Sequence, residues 1–426
     1  MSGTVVSNVF RTSGVIAATA AGINFQSSVV TGTTLTAASG NGYFIDTTSN
    51  ICTITLPSSA AAGDQIVFVD YARTWGTNKI VIDSNGLNFQ GQDDTYTVEY
   101  NTSGVTVNIV YSGSSKGWTP ISDDVVTDVP EDPNRATQLA IFGFGDTGSA
   151  TGVTNLVNSS GVIAADVSAV GTARIDLSAA GYGKNRGIFR GGYNGSGSNA
   201  ITNLISTSGV VSSDVSGVGT GVTSGIGSSY GVDLAIFAYG NNGSTTNEKN
   251  LVSNSGVVAS TTSGAGTARY DCRGSEYGGD KAIIYGGRSG SSTFYNLSNL
   301  ISNQGVIASN TTGVGDARIY LAGASYNGKQ NGVFAYGFDD SSNLNVKNLV
   351  NSSGVISADV TGVGTARRGL AATNYGGDKA VFAYGYSSSA TNVKNLVNSS
   401  GVIAADVSGV GTARYYASAC GYSQNA

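Results

Sequence analysis

The sequence predicts an all-β protein: an N-terminal β-sandwich-like domain followed by a six-bladed β-propeller that its own C-terminal strand closes. Three observations predict it. Glycine accounts for 62 of 426 residues, while charged residues make up 12% and prolines number 4. With Ser, Thr, Asn, Val and Tyr also abundant, that composition disfavours long helices and suits short strands joined by tight turns. Next, an apolar strand of the type "AIFGFG" recurs six times, with Phe142, Phe189, Phe237, Ile284, Phe334 and Phe382 at the equivalent position, 47 to 50 residues apart. Finally, the phrase "NLVNSSGVIAADVSAVGTAR" (155–174) returns at 395–414 with one difference, Ala169 against Gly409.

The elements follow in chain order. Residues 1–30 read as an arm: "SNVFRTSGVIAAT" (7–19) echoes the later "KNLVNSSGVIAAD", which is either a spare strand pair for a neighbouring subunit or a coincidence of a low-complexity vocabulary. Residues 31–121 form one small β domain. "ICTITLP", "QIVFVDYA" and "VTVNIVY" alternate apolar and polar residues with the period of half-buried strands, and "DSNGLNF" carries the Asn–Gly hairpin signal. Trp75 and Trp118 belong to its core or to a subunit interface. Residues 122–137 are an acidic linker, with five acids against one Arg and with Pro130 and Pro133 discouraging both helix and central strand.

From 138 to 426 the chain repeats itself. Each unit offers four strand candidates, exemplified by "RRGLAATNY", "AVFAYG", "VKNLVNSSG" and "GVIAADVSG", with a Gly-rich turn between the first two. A four-stranded unit that is apolar on both faces must stack on neighbours, in an open solenoid or a closed propeller. The termini choose. The first unit, from Gln138, lacks the leading "GTARxxLxxxxY" strand, and the chain ends with an orphan copy, "GTARYYASACGY" (411–422). Joining last to first balances the count and removes an exposed edge.

Composition also excludes function classes. A net charge of −5 leaves no basic face for nucleic acid. No apolar run reaches membrane-spanning length, and the N-terminus lacks a basic start followed by an apolar block, so neither membrane insertion nor a secretory signal is expected. The absence of histidine removes Ser-His-Asp and Cys-His nucleophiles and His-ligated metals, and the three cysteines, Cys52, Cys272 and Cys420, have no metal or redox spacing. The expectation is a non-enzyme without cofactor or metal, its cysteines free and buried.

The period and strand order resemble kelch propellers, whose central strand ends in paired glycines; the pair is complete in "FRGG" (Gly191, Gly192) and "IYGG" (Gly286, Gly287), while the family's Trp is missing. Separately, "GYFIDTT", "ITLPSS…AGD", "VDYA…GTN", "NGLNFQG" and "VY…KGW", together spanning 41–118, resemble a β domain of virion structural and tail-fibre proteins from tailed phages, notably those of cyanobacteria. That resemblance implies a fibre-like virion appendage made in the host cytoplasm, often a homotrimer. Its N-terminal part would dock to other virion proteins through the 1–30 arm, and its propeller would face a host glycan or receptor. A capsid-attached decoration or head fibre, a host-glycan depolymerase and a cellular kelch-like scaffold are the alternatives.

Candidate site residues divide by whether the repeat demands them. Arg174, Arg269, Arg318, Arg367 and Arg414 follow "GTA" or "GDA", with Val222 in their place in one unit. At the start of an innermost strand they would ring one mouth of a channel; as repeated residues they are expected to bond loop carbonyls or acids of an adjacent blade. Asp166, Asp214, Asp359 and Asp406, replaced elsewhere by Thr261 and Asn310, interchange as turn-forming side chains do, which argues against paired catalytic carboxylates. The unrepeated loop residues Tyr193, Arg288, Phe294, Tyr295, Phe338 and Tyr386 are the candidate ligand contacts, aromatics among small polar donors that suit sugar rings; the alternative is that they pack locally or against another subunit.

Overall fold

The computed structural model describes residues 9–12, 15–18, 22–122, 136–168 and 170–424. Among these the chain is all-β, and it divides into two compact units, 1–133 and 134–426. Most of the predicted linker 122–137 and the remainder of 1–21 fall outside the described residues. Val9–Thr12 and Val15–Ala18 pair with each other as an antiparallel hairpin.

The N-terminal unit stacks two sheets on one core, as the sandwich-like reading expects, with a connectivity that reading left open. Asn24–Phe25, Asn41–Ile45 and Gln65–Asp70 pair in parallel in one sheet. Thr34–Thr36, Cys52–Thr55 and Ile80–Asp83 pair in parallel in the other. The chain therefore coils, alternating between sheets. Only then does it turn antiparallel, adding Val98–Tyr100 to the second sheet and Thr106–Tyr111 and Trp118–Ser122 to the first. Ile54, Ile66, Phe68, Ile80, Val107 and Ile109 are buried between the sheets together with Trp75 and Trp118. Alternation at period two fixes which face is buried and leaves strand direction open, so the coil was invisible in the pattern. Asn85 and Gly86 do make a tight turn at φ 55° and 84°, but a loop rather than a hairpin strand follows it.

Among the described residues the C-terminal unit holds one two-stranded hairpin, Arg288–Ser289 with Thr293–Phe294, and six repeated sheets of three or four strands. Their central strands are Ala140–Asp146, Arg186–Arg190, Leu234–Asn241, Lys281–Tyr285, Asn331–Phe338 and Lys379–Ala383. Each is flanked by a leading and a third strand, as in Ser178–Tyr182 and Thr202–Ile205 around Arg186–Arg190. Central strands are buried on both faces, and every apolar cluster of this unit joins two neighbouring sheets. The leading strand of the first sheet comes from the far end of the chain: Ser418–Gly421 pairs with Ala140–Gly143. Phe142 of that sheet and Tyr384 of the sixth share one cluster, their ring centroids 5.4 Å apart.

The fourth strand of each repeat is a departure. In five repeats the "GVIAADV" segment touches the third strand only at isolated bridges such as Val157↔Ile163 and Thr154↔Val167, and in the third repeat a short ladder forms, Thr262–Ser263 pairing with Glu248–Lys249. The third-strand asparagine explains the gap. Asn155 Nδ2 donates to Ala164 O (3.0 Å) and to Asp166 Oδ1 (2.9 Å), so a side chain takes the carbonyl that a ladder would use.

Candidate functional site

The repeated polar residues come first, because their commitments decide what is left for a ligand. In the first sheet, Asn155 accepts from Arg414 Nη2 (2.7 Å), and Asp166 accepts from the Thr412 backbone N–H (3.1 Å) and hydroxyl (2.6 Å). The same staple recurs as Arg367 on Asn395 (2.7 Å) with Thr365 on Asp406 (2.6 Å), as Arg318 on Asn348 (2.5 Å), and as Arg174 on Asn203 with Thr172 on Asp214 (2.6 Å). Asn310 and Thr261 accept the equivalent backbone N–H from Thr267 (3.0 Å) and Thr220 (3.1 Å).

Each of these arginines also lies over an aromatic ring of the preceding sheet: Arg174 on Phe144, Arg269 on Tyr239, Arg318 on Tyr285, Arg367 on Tyr336 and Arg414 on Tyr384. The one exception compensates itself. Where Val222 replaces the arginine, the preceding aromatic position holds Arg190, which donates to Val218 O (2.8 Å).

Arg174, Arg269, Arg318, Arg367 and Arg414 have no exposed surface, so they do not line an open mouth. Burial pulls Arg174 down to about 10 and lowers Arg414, Arg367 and Arg318 as well. At Asp166 burial acts the other way, but the hydrogen bonds from Thr412 and Asn155 outweigh it and hold the carboxyl below its ordinary range. The asparagines were not singled out in the sequence, although "NLV" or "NLI" recurs in every repeat.

Two positions beyond the repeated arginine the repeat stops agreeing with itself. The column reads Asp176, Ser224, Asp271, Tyr320, Gly369 and Tyr416, and all six adopt left-handed backbone, with φ between 52° and 63°. A non-glycine residue costs of order 1 kcal/mol or more there, so the surroundings must enforce it. A chain of backbone hydrogen bonds does so. Ser224 N–H donates to Asp176 O (2.8 Å), Asp271 to Ser224 (2.8 Å), Tyr320 to Asp271 (3.3 Å), Gly369 to Tyr320 (2.9 Å), Tyr416 to Gly369 (2.7 Å), and Asp176 back to Tyr416 (3.2 Å). Below this circuit, each leading strand contributes one small residue, Ala179, Gly227, Gly274, Gly323, Ala372 and Ala419, beside cavities of ≈ 60 and ≈ 50 Å³. Such volumes hold a water or two, not a ligand.

The circuit and the residues after each central strand share one face. Tyr193, Arg288, Phe338 and Tyr386 occupy the same repeat position and bridge to Ile175, Tyr270, Ile319 and Arg368. Arg288 Nε donates to Asp271 Oδ2 (2.8 Å) and Nη2 to the Tyr320 hydroxyl (2.7 Å), over the rings of Tyr270 and Tyr320. Arg368 lies between Phe338 (4.6 Å) and Tyr386 (5.4 Å), and Tyr386 packs on Tyr415 (5.3 Å). Phe294 and Tyr295 sit on a small hairpin beyond Arg288, where the Tyr295 hydroxyl meets Ser289 Oγ at 2.8 Å. Arg288 is thus committed to the fold, whereas Tyr193 stays 40% exposed.

Two acids stand out on this face. Burial pushes Asp176 up to about 7, the charge of Asp271 adding to it, and Oδ1 of each is sealed from solvent without a hydrogen-bond partner. Burial raises Asp271 too, against the pull of Arg288. Asp176 nevertheless keeps part of its surface open to a groove of ≈ 760 Å³ that Tyr193 also lines. Among the described residues no cluster of acids and cysteines fits a metal ion, and no helix is long and apolar enough to cross a membrane.

No protein-family model matches this chain, and a comparison with curated proteins finds no match either.

Proposed function

We propose that residues 138–426 form a six-bladed, kelch-like β-propeller closed by the C-terminal strand, and that the chain is a non-enzymatic, fibre-like virion appendage. Its N-terminal unit docks to other virion proteins, three copies associate, and the propeller is presented to a host-surface glycan or receptor. Closure is supported by the backbone circuit through Asp176 and Tyr416 and by a second series linking neighbouring hairpin turns, in which Gly376 N–H reaches Gln138 O at 2.9 Å.

One observation carries the functional reading. The repeated Arg, Asn and Asp side chains are spent on internal staples, while the unrepeated Tyr193, Phe338, Tyr386, Arg368 and Asp176 gather on one face. A scaffold this uniform has no structural need for that variety, and aromatic residues among small polar groups suit a saccharide. The acids bear on catalysis. Asp271 is tied to Arg288, and neither it nor Asp176 forms a separated acid/base pair across an open cleft, which supports binding over hydrolysis.

Antibodies raised against the full chain, applied to purified particles in the electron microscope, test the assignment. Label on an appendage is expected; label absent from intact particles while present in infected cells overturns it.

A further inference from the structure

We infer that the groove between Asp176, Tyr193 and the Asn241–Gly243 turn is a binding subsite for a neutral hexose unit. This rests on the glycan-binding reading above and names the sugar class.

The groove is built from chemistry that recognises hydroxyls. Tyr193 presents a 40% exposed ring and ties its own hydroxyl to Gly195 O (3.0 Å), which fixes the ring as a stacking surface. Opposite it, Asn241 Oδ1 accepts from Gly243 N–H (2.8 Å), and Asn242 Oδ1 accepts from Ser244 N–H (3.2 Å). Both oxygens are therefore used within the turn, which leaves the two amide NH₂ groups as donors facing outward chemistry. Ser198 and Thr223 hydroxyls donate to Asn241 O at 3.3 and 3.4 Å and can accept in turn. Asp176 supplies a carboxyl, and Gly197 and Gly221 complete the lining. The depression is open to solvent, which suits one sugar ring laid against Tyr193.

Charge narrows the class. The lining contains one acid and no Lys or Arg, and the nearby Arg288 is engaged by Asp271 and Tyr320. Arg273, which also acts on Asp176, lies outside the lining and donates to Cys272 O (2.8 Å), so a sugar carboxylate would find no lining cation to pair with. An uncharged ring offers hydroxyls to the Asp176 carboxyl and an apolar face to Tyr193.

The test titrates the full chain with glucose, galactose, mannose and glucuronate by calorimetry and saturation-transfer NMR. Saturable binding of at least one neutral hexose, on the order of millimolar, is expected, with glucuronate at least tenfold weaker. Asp176→Asn, which tolerates left-handed backbone, and Tyr193→Ala should each weaken it tenfold or more, as should Asn242→Ala in its exposed turn. Val306→Ala, an exposed side chain outside the groove and away from the ligand face, should leave it unchanged. No hexose binding, tighter glucuronate binding, or equal affinity in Asp176→Asn and Tyr193→Ala overturns the inference. Adsorption of the same proteins to host cells separates the two levels. Adsorption that persists without hexose binding defeats the groove alone, whereas wild type failing to adsorb defeats the glycan-binding reading itself.

Discussion

Arg414 and Asn155 are 259 residues apart in sequence and joined by a 2.7 Å hydrogen bond between fully buried side chains. Replacing Arg414 with alanine removes that charge-assisted bond, worth about 1.5–3 kcal/mol, and a desolvated contact with the Tyr384 ring at 3.9 Å, worth up to about 2 kcal/mol. The single variant should therefore lose about 1.5–5 kcal/mol. Asn155→Ala removes the acceptor, and the double variant should recover about 1.5–3 kcal/mol as coupling. Arg367 and Asn395 make the same 2.7 Å bond only 28 residues apart and serve as the internal standard. Urea unfolding of all variants measures both cycles. Equal coupling in the two is the prediction. Coupling near zero at Arg414/Asn155 with a normal value at Arg367/Asn395 would refute the union of last strand with first sheet.

Four further outcomes follow from the same geometry. Ending the chain at Val410 removes Ser418–Gly421 from Ala140–Gly143 and exposes Phe142, so calorimetry should show a lowered midpoint and dye binding should report exposed apolar surface. Gly161→Ala places a methyl 2.7 Å from the Tyr375 ring at φ +76°, and should cost about 1–3 kcal/mol in urea unfolding, more than Gly148→Ala, whose methyl meets nothing. Val222→Arg buries a second guanidinium near Arg190 and should destabilise, while pairing it with Arg190→Tyr restores the pattern of the other repeats and most of the stability in thermal melts. Asp176 titrates at about 7 in the fold against about 3.9 unfolded, so the stability its protonated form confers is complete below about pH 4 and lost as pH rises through about 7. Asp176→Asn should thus gain ~1–3 kcal/mol over wild type above pH 7 and little at pH 4, read from melts across that range.

How legible all this was depends on which interactions leave a periodic trace. The six central strands and the displaced leading strand were readable because every sheet needs one of each, and the surplus "GTAR" at 411–414 matched the deficit before Gln138. The Asn155–Asp166 staple hid in plain repetition: "NLV" reads as strand, and nothing local says that its asparagine would displace a fourth ladder. The arginines were read correctly as structural, but their aromatic partners lie one repeat back, beyond any short spacing, and went unseen. The circuit of Asp176, Asp271, Tyr320 and Tyr416 was missed for the opposite reason. Only alignment of the repeats exposes it as the column that disagrees. In the N-terminal unit, parallel and antiparallel strands share one alternation, so the coiled path of Asn24–Phe25 through Ile80–Asp83 had no sequence signature.

The central claim is that the repeated residues build the scaffold and the unrepeated face meets the ligand. Adsorption of the full chain to host cells, compared between wild type and a Phe338→Ala/Tyr386→Ala/Tyr193→Ala variant with an unchanged melting profile, tests it most directly. The account predicts that wild type adsorbs saturably and the variant loses at least tenfold in affinity; a folded variant that adsorbs as wild type does would contradict it.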